Sequence, residues 1–269
     1  MSYLEVPGAR LYYQARGTGP VLLLIPGANG DANGFPALVE LLAADFTVVA
    51  YDRRGYTRSV INGAQDYARR LETDADDARR LIEHLADEPV AVFGTSSGGV
   101  IALQLLIDHP HAVKTLIAFE PAAMRLFPGG ERWIAFLGDV YGLYRRSGAI
   151  PARSLFVQRC FAEVDHPIMG RVPGQQYAAT AMANANYFFE RELTQYTAVE
   201  LDMDQLSQRA HTIIPAMGLA SASFPDGQAA RALSWRLGRE LLELPDGHVG
   251  YVTASEEFAR RLLRRLKAQ

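Results

Sequence analysis

Chemistry is concentrated at Gly94-Thr95-Ser96-Ser97-Gly98-Gly99, which follows the apolar run Val90-Ala91-Val92-Phe93 and precedes a helical pattern from Val100 to Ile107. A Gly-x-Ser-x-Gly turn between a buried strand and a helix reads as a nucleophile elbow, in which small residues relieve crowding around a strained serine. The Ser96 oxygen is expected to project above the sheet at the helix N-terminus, where the helix dipole and unpaired N–H groups favour developing negative charge. A phosphate loop of the Walker type needs Gly-Lys-Ser/Thr, and no lysine stands here. Ser97 is the chemical rival, but the spacing centres the turn on Ser96. A serine hydroxyl needs a base to attack a carbonyl near neutral pH. Of the six histidines, His84 sits on a charged helix face, His109 and His111 flank Pro110, His166 precedes Pro167, and His211 opens a strand. His248 alone follows a buried strand in a Gly-containing loop, so it is the expected base.

The elements that must position these residues alternate. A hairpin, Leu4-Glu5-Val6 and Leu11-Tyr12-Tyr13-Gln14 about a Pro7-Gly8 turn, leads into the continuous apolar run Val21–Ile25. Similar runs follow at Phe46–Tyr51, Val90–Phe93, Thr115–Phe119, Thr212–Ile214 and Glu240–Leu244. Short runs without polar alternation suit strands buried on both faces of a parallel sheet. Amphipathic helical patterns separate them: Leu38/Leu41/Leu42, Leu71/Ala75/Ala78/Leu81/Ile82/Leu85, Val100–Ile107, Ala229–Leu237 and Phe258–Leu266. The expected class is α/β, a mostly parallel, doubly wound sheet with right-handed crossovers. From Pro121 to about Gln208 no buried-strand pattern appears, only aromatic-rich helical material. We read residues 121–208 as a helical cap inserted into a core formed by 1–120 and 209–269, roofing the site at the strands' carboxyl ends.

Four motifs in order make the chain resemble the α/β-hydrolase superfamily over essentially its full length. Besides the elbow, Leu22–Ala28 sits where the family has a strand ending in His-Gly, with Pro26 replacing the histidine. Tyr51–Ser59 is similar to the family's D-x-R-G-x-G-x-S stretch, with Thr57 replacing a glycine, and Pro245-Asp246-Gly247-His248 to its histidine loop. The resemblance implies Ser96 as nucleophile, His248 as base, and an oxyanion hole formed by the backbone N–H groups of Ala28 and Ser97.

The third member departs from the commonest pattern. The segment after the penultimate strand, Met217–Phe224, holds no carboxylate before Asp226. Two acids compete. Glu120 closes a buried strand at the site face, where a charge requires a partner; haloalkane dehalogenases and fungal zearalenone lactonases take their acid from this strand end. The chain is also similar to those lactonases in its Ser-Ser-Gly elbow, in the strand ending in Pro26, and in the Leu-Pro-x-x-His-x-x-Tyr-Val spacing from Leu244 to Val252. Asp226 is the alternative acid, although its position suits a cap for the helix running from Gln228. A dyad without an acid is the third option.

Composition narrows the function. The 269 residues carry a net charge of −3 and are 49% hydrophobic, which argues against a nucleic-acid or anionic-membrane binder. Two of the 27 basic residues are lysine and the rest arginine. The excess could serve two-point phosphate recognition or reflect a GC-rich coding sequence; because several arginines lie beside acids in helical stretches (Arg69, Arg70, Glu72, Asp74, Asp76, Asp77, Arg79, Arg80), the second reading is favoured. The single cysteine, Cys160, excludes a disulfide within the chain and a Cys-rich zinc site, and it reads as a packed, inert thiol. With no secretory pattern at the N-terminus and no membrane-length apolar run, the expectation is a cytoplasmic protein; a homodimer is left open. Asp52 and Arg53 invite a functional reading, and a structural loop tying two strand ends competes with it on at least equal terms. Trp133, Tyr187 and Phe188 are expected to line an apolar substrate pocket, Phe136 and Phe189 to belong mainly to the cap's own core. The expected activity is hydrolysis of a carboxylic ester or lactone of a hydrophobic small molecule, with no metal or cofactor. C–C, thioester or amide hydrolysis and perhydrolysis reuse the same triad, and a cyclase or ligand receptor reuses the fold.

Overall fold

The computed structural model describes residues 2–171 and 175–268. Chain order begins with β1 (Ser2–Val6), β2 (Ala9–Arg16), β3 (Val21–Ile25), α1 (Pro36–Leu42), β4 (Thr47–Tyr51), β5 (Val60–Ile61), α2 (Arg70–Leu85), β6 (Val90–Thr95), α3 (Ser97–Asp108) and β7 (Val113–Phe119). Among the described residues, α-helices follow before the sheet resumes: α4 (Gly130–Ser147), α5 (Ala149–Cys160), α6 (His166–Met169), α7 (Gln175–Arg191), α8 (Leu193–Thr197) and α9 (Met203–Gln208). The chain then returns through β8 (Ile213–Gly218), α10 (Pro225–Leu237), β9 (Leu242–Leu244), α11 (Gly250–Thr253) and α12 (Ser255–Lys267).

Strand order is β1-β2-β4-β3-β6-β7-β8-β9, with β5 paired to β2. The β1–β2, β2–β4 and β2–β5 pairs are antiparallel, and the rest are parallel. The expected α/β class and mostly parallel sheet are therefore the observed ones. Alternate residues of the apolar runs serve opposite faces, because side chains in a strand repeat every second residue. Leu22 and Leu24 of β3, Val48 and Ala50 of β4 and Phe93 of β6 enter one core beneath α1 and α12. Leu23, Ile25, Val49 and Val92 enter the other, beneath α2, α3 and α10. Two-sided burial is why these strands show no polar alternation.

Two elements differ from expectation. The two-residue strand β5 carries no recognisable pattern. β8 runs on through Pro215 to Gly218, further than its apolar run suggested, since Pro215 pairs with Ala118 of β7 inside a parallel ladder. That extension matters: it brings Gly218 to the carboxyl end of the sheet, beside the residues that carry chemistry.

Candidate active site

Ser96 lies between β6 and α3 with φ 56 and ψ −123, a backbone conformation non-glycine residues rarely adopt. Such a residue costs on the order of 1–3 kcal/mol and persists only where its surroundings enforce it. They do so by close packing: a Cβ on Gly94 would stand 2.3 Å from the Gly98 carbonyl oxygen, and one on Gly98 only 2.1 Å from that of Ile25. The main chain of Ser96 is also tied to the next strand, its N–H donating to the Phe119 carbonyl at 3.1 Å. Ser97 begins α3, so its N–H belongs to the first turn, where the helix supplies no acceptor. Gly27 packs on Ser96, with 2.9 Å between Ser96 Cβ and a hypothetical Cβ at Gly27; Ala28 follows directly.

Glu120 follows β7 with φ 45, again in the left-handed region. This twist turns its carboxylate sideways toward β8 and the His248 loop. Oε1 accepts the Gly218 N–H at 2.7 Å, and Oε2 meets Nδ1 of His248 at 2.6 Å. Both side chains are buried. The imidazole is wedged between Phe119, whose ring centroid lies 6.5 Å away, and Phe161, at 4.5 Å. Burial alone would lower the His248 pKa, but the hydrogen bond and charge of Glu120 outweigh it, and Asp226 and Asp165 add to the rise, to about 9.

Asp226 does not cap a helix. The residue preceding α10 is Phe224, with no side-chain cap, and Asp226 sits buried in the first turn. Its Oδ2 lies 3.8 Å from His248 Nδ1, and it lines the same cavity as Ser96. Burial raises its pKa to about 7, His248 opposing and Glu120 reinforcing the shift. The two competing acids thus both reach the site, with Glu120 making the short bond to the imidazole. A third carboxylate, Asp165, comes from the helical stretch between β7 and β8: Oδ1 accepts the Val249 N–H at 3.0 Å, beside the histidine loop.

The cavity at Ser96 is lined by Ser97 and Asp226 and, from the helices between β7 and β8, by Leu137, Phe156, Cys160, Phe188, Glu192 and Tyr196. Phe188 therefore faces the reaction space, and Phe156, unnoticed in the sequence, joins it. Trp133 and Tyr187 do not line this cavity. Trp133 packs edge-on against Phe136, 5.9 Å away on its own helix. The Tyr187 hydroxyl contacts Arg70 and its ring meets Tyr56 at 5.1 Å, so a polar network claims it. Cys160 is buried, and burial pushes its thiol pKa up, consistent with an unreactive side chain.

Residues 20–166 match the model of the alpha/beta hydrolase fold family. The chain is 36% identical to the uncharacterized hydrolase YraK of Bacillus subtilis over 96% of its own length and 93% of the relative's. This chain belongs to the α/β-hydrolase family. Among solved structures it resembles an esterase from Thermogutta terrifontis (20% identity, TM-score 0.76, 100% and 99% of the two chains covered). It also resembles the enol-lactonase of Burkholderia xenovorans LB400 (18% identity, TM-score 0.73, 99% and 100% covered).

What sequence reading of this α/β-hydrolase missed is a buried charge network beside the cavity. Arg53, Arg54, Arg70, Asp74, Asp77 and Glu192 are all buried. Arg70, Asp74 and Asp77 belong to one charged run of the sequence yet are buried, whereas Glu72, Asp76, Arg79, Arg80 and Glu83 of the same helix pair nearer the surface. Arg54 makes a two-point bond to Asp77, at 2.6 and 2.9 Å. Arg53 makes another to Glu192, at 2.8 and 2.9 Å, and also reaches Asp74 at 3.2 Å. A signal existed in the arginine excess, since the planar guanidinium is the cation suited to buried two-point pairing. Among the described residues no cluster of His, Cys, Asp and Glu suited to a metal is present, and no helix is long and apolar enough to cross a membrane.

Proposed function

We propose that the protein is a serine hydrolase that cleaves a carboxylic ester or lactone of a hydrophobic small molecule through an acyl-enzyme on Ser96. The 2.6 Å bond between Glu120 and His248 carries this reading. A carboxylate on Nδ1 fixes the imidazole tautomer that leaves Nε2 free to act as a base, and it stabilises the imidazolium that forms. His248 takes the Ser96 proton as Oγ attacks the substrate carbonyl. The N–H groups of Ala28 and Ser97 hold the resulting oxyanion. His248 then protonates the departing alkoxide, and in the second half-reaction it deprotonates the water that releases the acid. The apolar cavity wall of Leu137, Phe156 and Phe188 favours a hydrophobic acyl or alkyl group. The esterase and enol-lactonase of the same fold suggest where to begin with substrates.

A fluorophosphonate probe tests the reading. Wild-type protein is labelled, whereas folded Ser96→Ala and His248→Ala are not; an unlabelled, folded wild type sinks the proposal. A panel of aryl esters, lactones and macrolactones then assigns the substrate class.

A further inference from the structure

The peptide linking Gly27 to Ala28 carries the carbonyl of one residue and the N–H of the next, and in a trans peptide the two point in opposite directions. The Gly27 carbonyl accepts two hydrogen bonds, one at 2.9 Å from the Gly30 N–H within its own turn and one at 2.8 Å from Nη2 of Arg53, which adds a charged donor from outside the loop. We infer that Arg53 is a positioning residue of the oxyanion hole. Its guanidinium holds this peptide with the Ala28 N–H turned to the attacked carbonyl, and the cap carboxylate Glu192 holds the guanidinium. The inference rests on the Ser96 hydrolase reading.

The same nitrogen that bonds Gly27 also bonds Glu192 Oε2 at 2.8 Å, while Nη1 bridges Glu192 Oε1 and Asp74 on α2. Tyr56 donates to the same Oε1 of Glu192 at 2.6 Å. The guanidinium is thus clamped between core and cap with no freedom to swing. Further along, the loop is braced by the same two regions: Arg53 N–H donates to the Gly30 carbonyl at 2.7 Å, and Asn184 of α7 to that of Asn29 at 3.1 Å. A cationic donor on a carbonyl also polarises the peptide and strengthens its N–H as a donor. Lysine cannot reproduce this, because an ammonium is a point charge without the fork. Withdrawing the cap would remove Glu192 from Arg53, so the hole is completed only with the cap docked.

The test uses the full chain with Arg53→Lys and the near-isosteric Glu192→Gln, the second covering the case in which the first does not fold. Rates are measured on p-nitrophenyl butyrate, and the Ala28 amide proton is followed by NMR in 15N-alanine protein with and without a boronic acid bound to Ser96. Loss of a whole oxyanion donor costs about 100- to 1,000-fold in kcat, so a misaligned one should cost roughly 10- to 100-fold with KM within about 2-fold. The downfield shift of the Ala28 amide on boronate binding should shrink in parallel. Folded variants with unchanged kcat, a loss carried by KM alone, or a full Ala28 shift overturn the inference while leaving the hydrolase reading intact. A wild type that neither turns over ester nor binds boronate removes the reading and this inference with it.

Discussion

Two buried clusters of charge flank the reaction space, and they are built on opposite plans. In one, Arg53, Arg54 and Arg70 face Asp74, Asp77 and Glu192, so cations and carboxylates match in number. In the other, a single imidazole, His248, faces Glu120, Asp226 and the nearby Asp165. In the matched cluster each carboxylate is paired with a guanidinium that stays charged, which fixes positions, although burial still raises Asp77 to about 6 against the pull of Arg54. The carboxylate-rich cluster holds its charge uneasily, with Asp226 raised to about 7 and His248 to about 9. Such a site can pass a proton. One cluster is a frame and the other a device, and Glu192 brings the frame to the wall of the cavity.

The contrast breaks most sharply at Glu120. Glu120→Gln keeps the shape but removes the charge that stabilises the imidazolium, and it allows the wrong tautomer. Turnover of an aryl ester should fall by about 10,000-fold in kcat with the fold intact, as read by circular dichroism. A loss below roughly 10-fold would mean that another acid serves His248. In the matched cluster the larger effect should be on stability. Glu192→Ala strands the Arg53 charge in the interior, which costs about 3–5 kcal/mol in urea unfolding, whereas the double replacement Arg53→Met, Glu192→Leu should recover much of it. Equal destabilisation by single and double variants would show that pairing is not what matters there.

The two clusters also differed in how legible they were from sequence. Ser96 and His248 sit in local turns whose glycines and flanking apolar runs announce the backbone geometry, and Glu120 stands out as a charge ending a buried strand. The buried strands and the α2, α3, α10 and α12 patterns were readable for the same reason: short periodicities record which face is covered. The frame has no such record. Arg53 and Glu192 are 139 residues apart, and neither neighbourhood carries a pattern that points to the other. Asp226 at a helix start resembles a cap, because side-chain capping and burial against a distant histidine place a carboxylate at nearly the same position. Tyr187 and Phe188 are neighbours on one helix yet face different surroundings; helical spacing gives their separation in angle but not which of two contacting surfaces each one meets.

Asp226 tests the uneven cluster from its other side, with a smaller effect. A general base must be neutral, so kcat/KM should climb with pH as His248 loses its proton, toward a half-maximum near its raised pKa of about 9. At that pH Asp226, titrating near 7, is ionised and supports the imidazolium. Asp226→Asn withdraws that support, which lowers the His248 pKa and moves the rising limb toward lower pH, while the plateau rate should stay within about 3-fold of wild type. A limb that stays put, or moves toward higher pH, rules out this electrostatic role.

The smallest effect should come from the arginines that stay near the surface. Arg80 pairs with Asp76 at 2.7 Å, one turn apart on α2, but both side chains are more than a third exposed. Water and salt screen the attraction, and two long side chains must be held in one arrangement to make it. Arg80→Ala should therefore change unfolding stability by about 0.5 kcal/mol or less, the difference shrinking further in 0.5 M salt. The same helix carries Arg70, whose two-sided bonding to Asp74 and Glu192 is buried. Arg70→Ala should cost several times more and lose little of that cost in salt, because screening ions do not reach the interior. Comparable losses for the two variants would mean that burial does not separate the framework arginines from the ordinary ones.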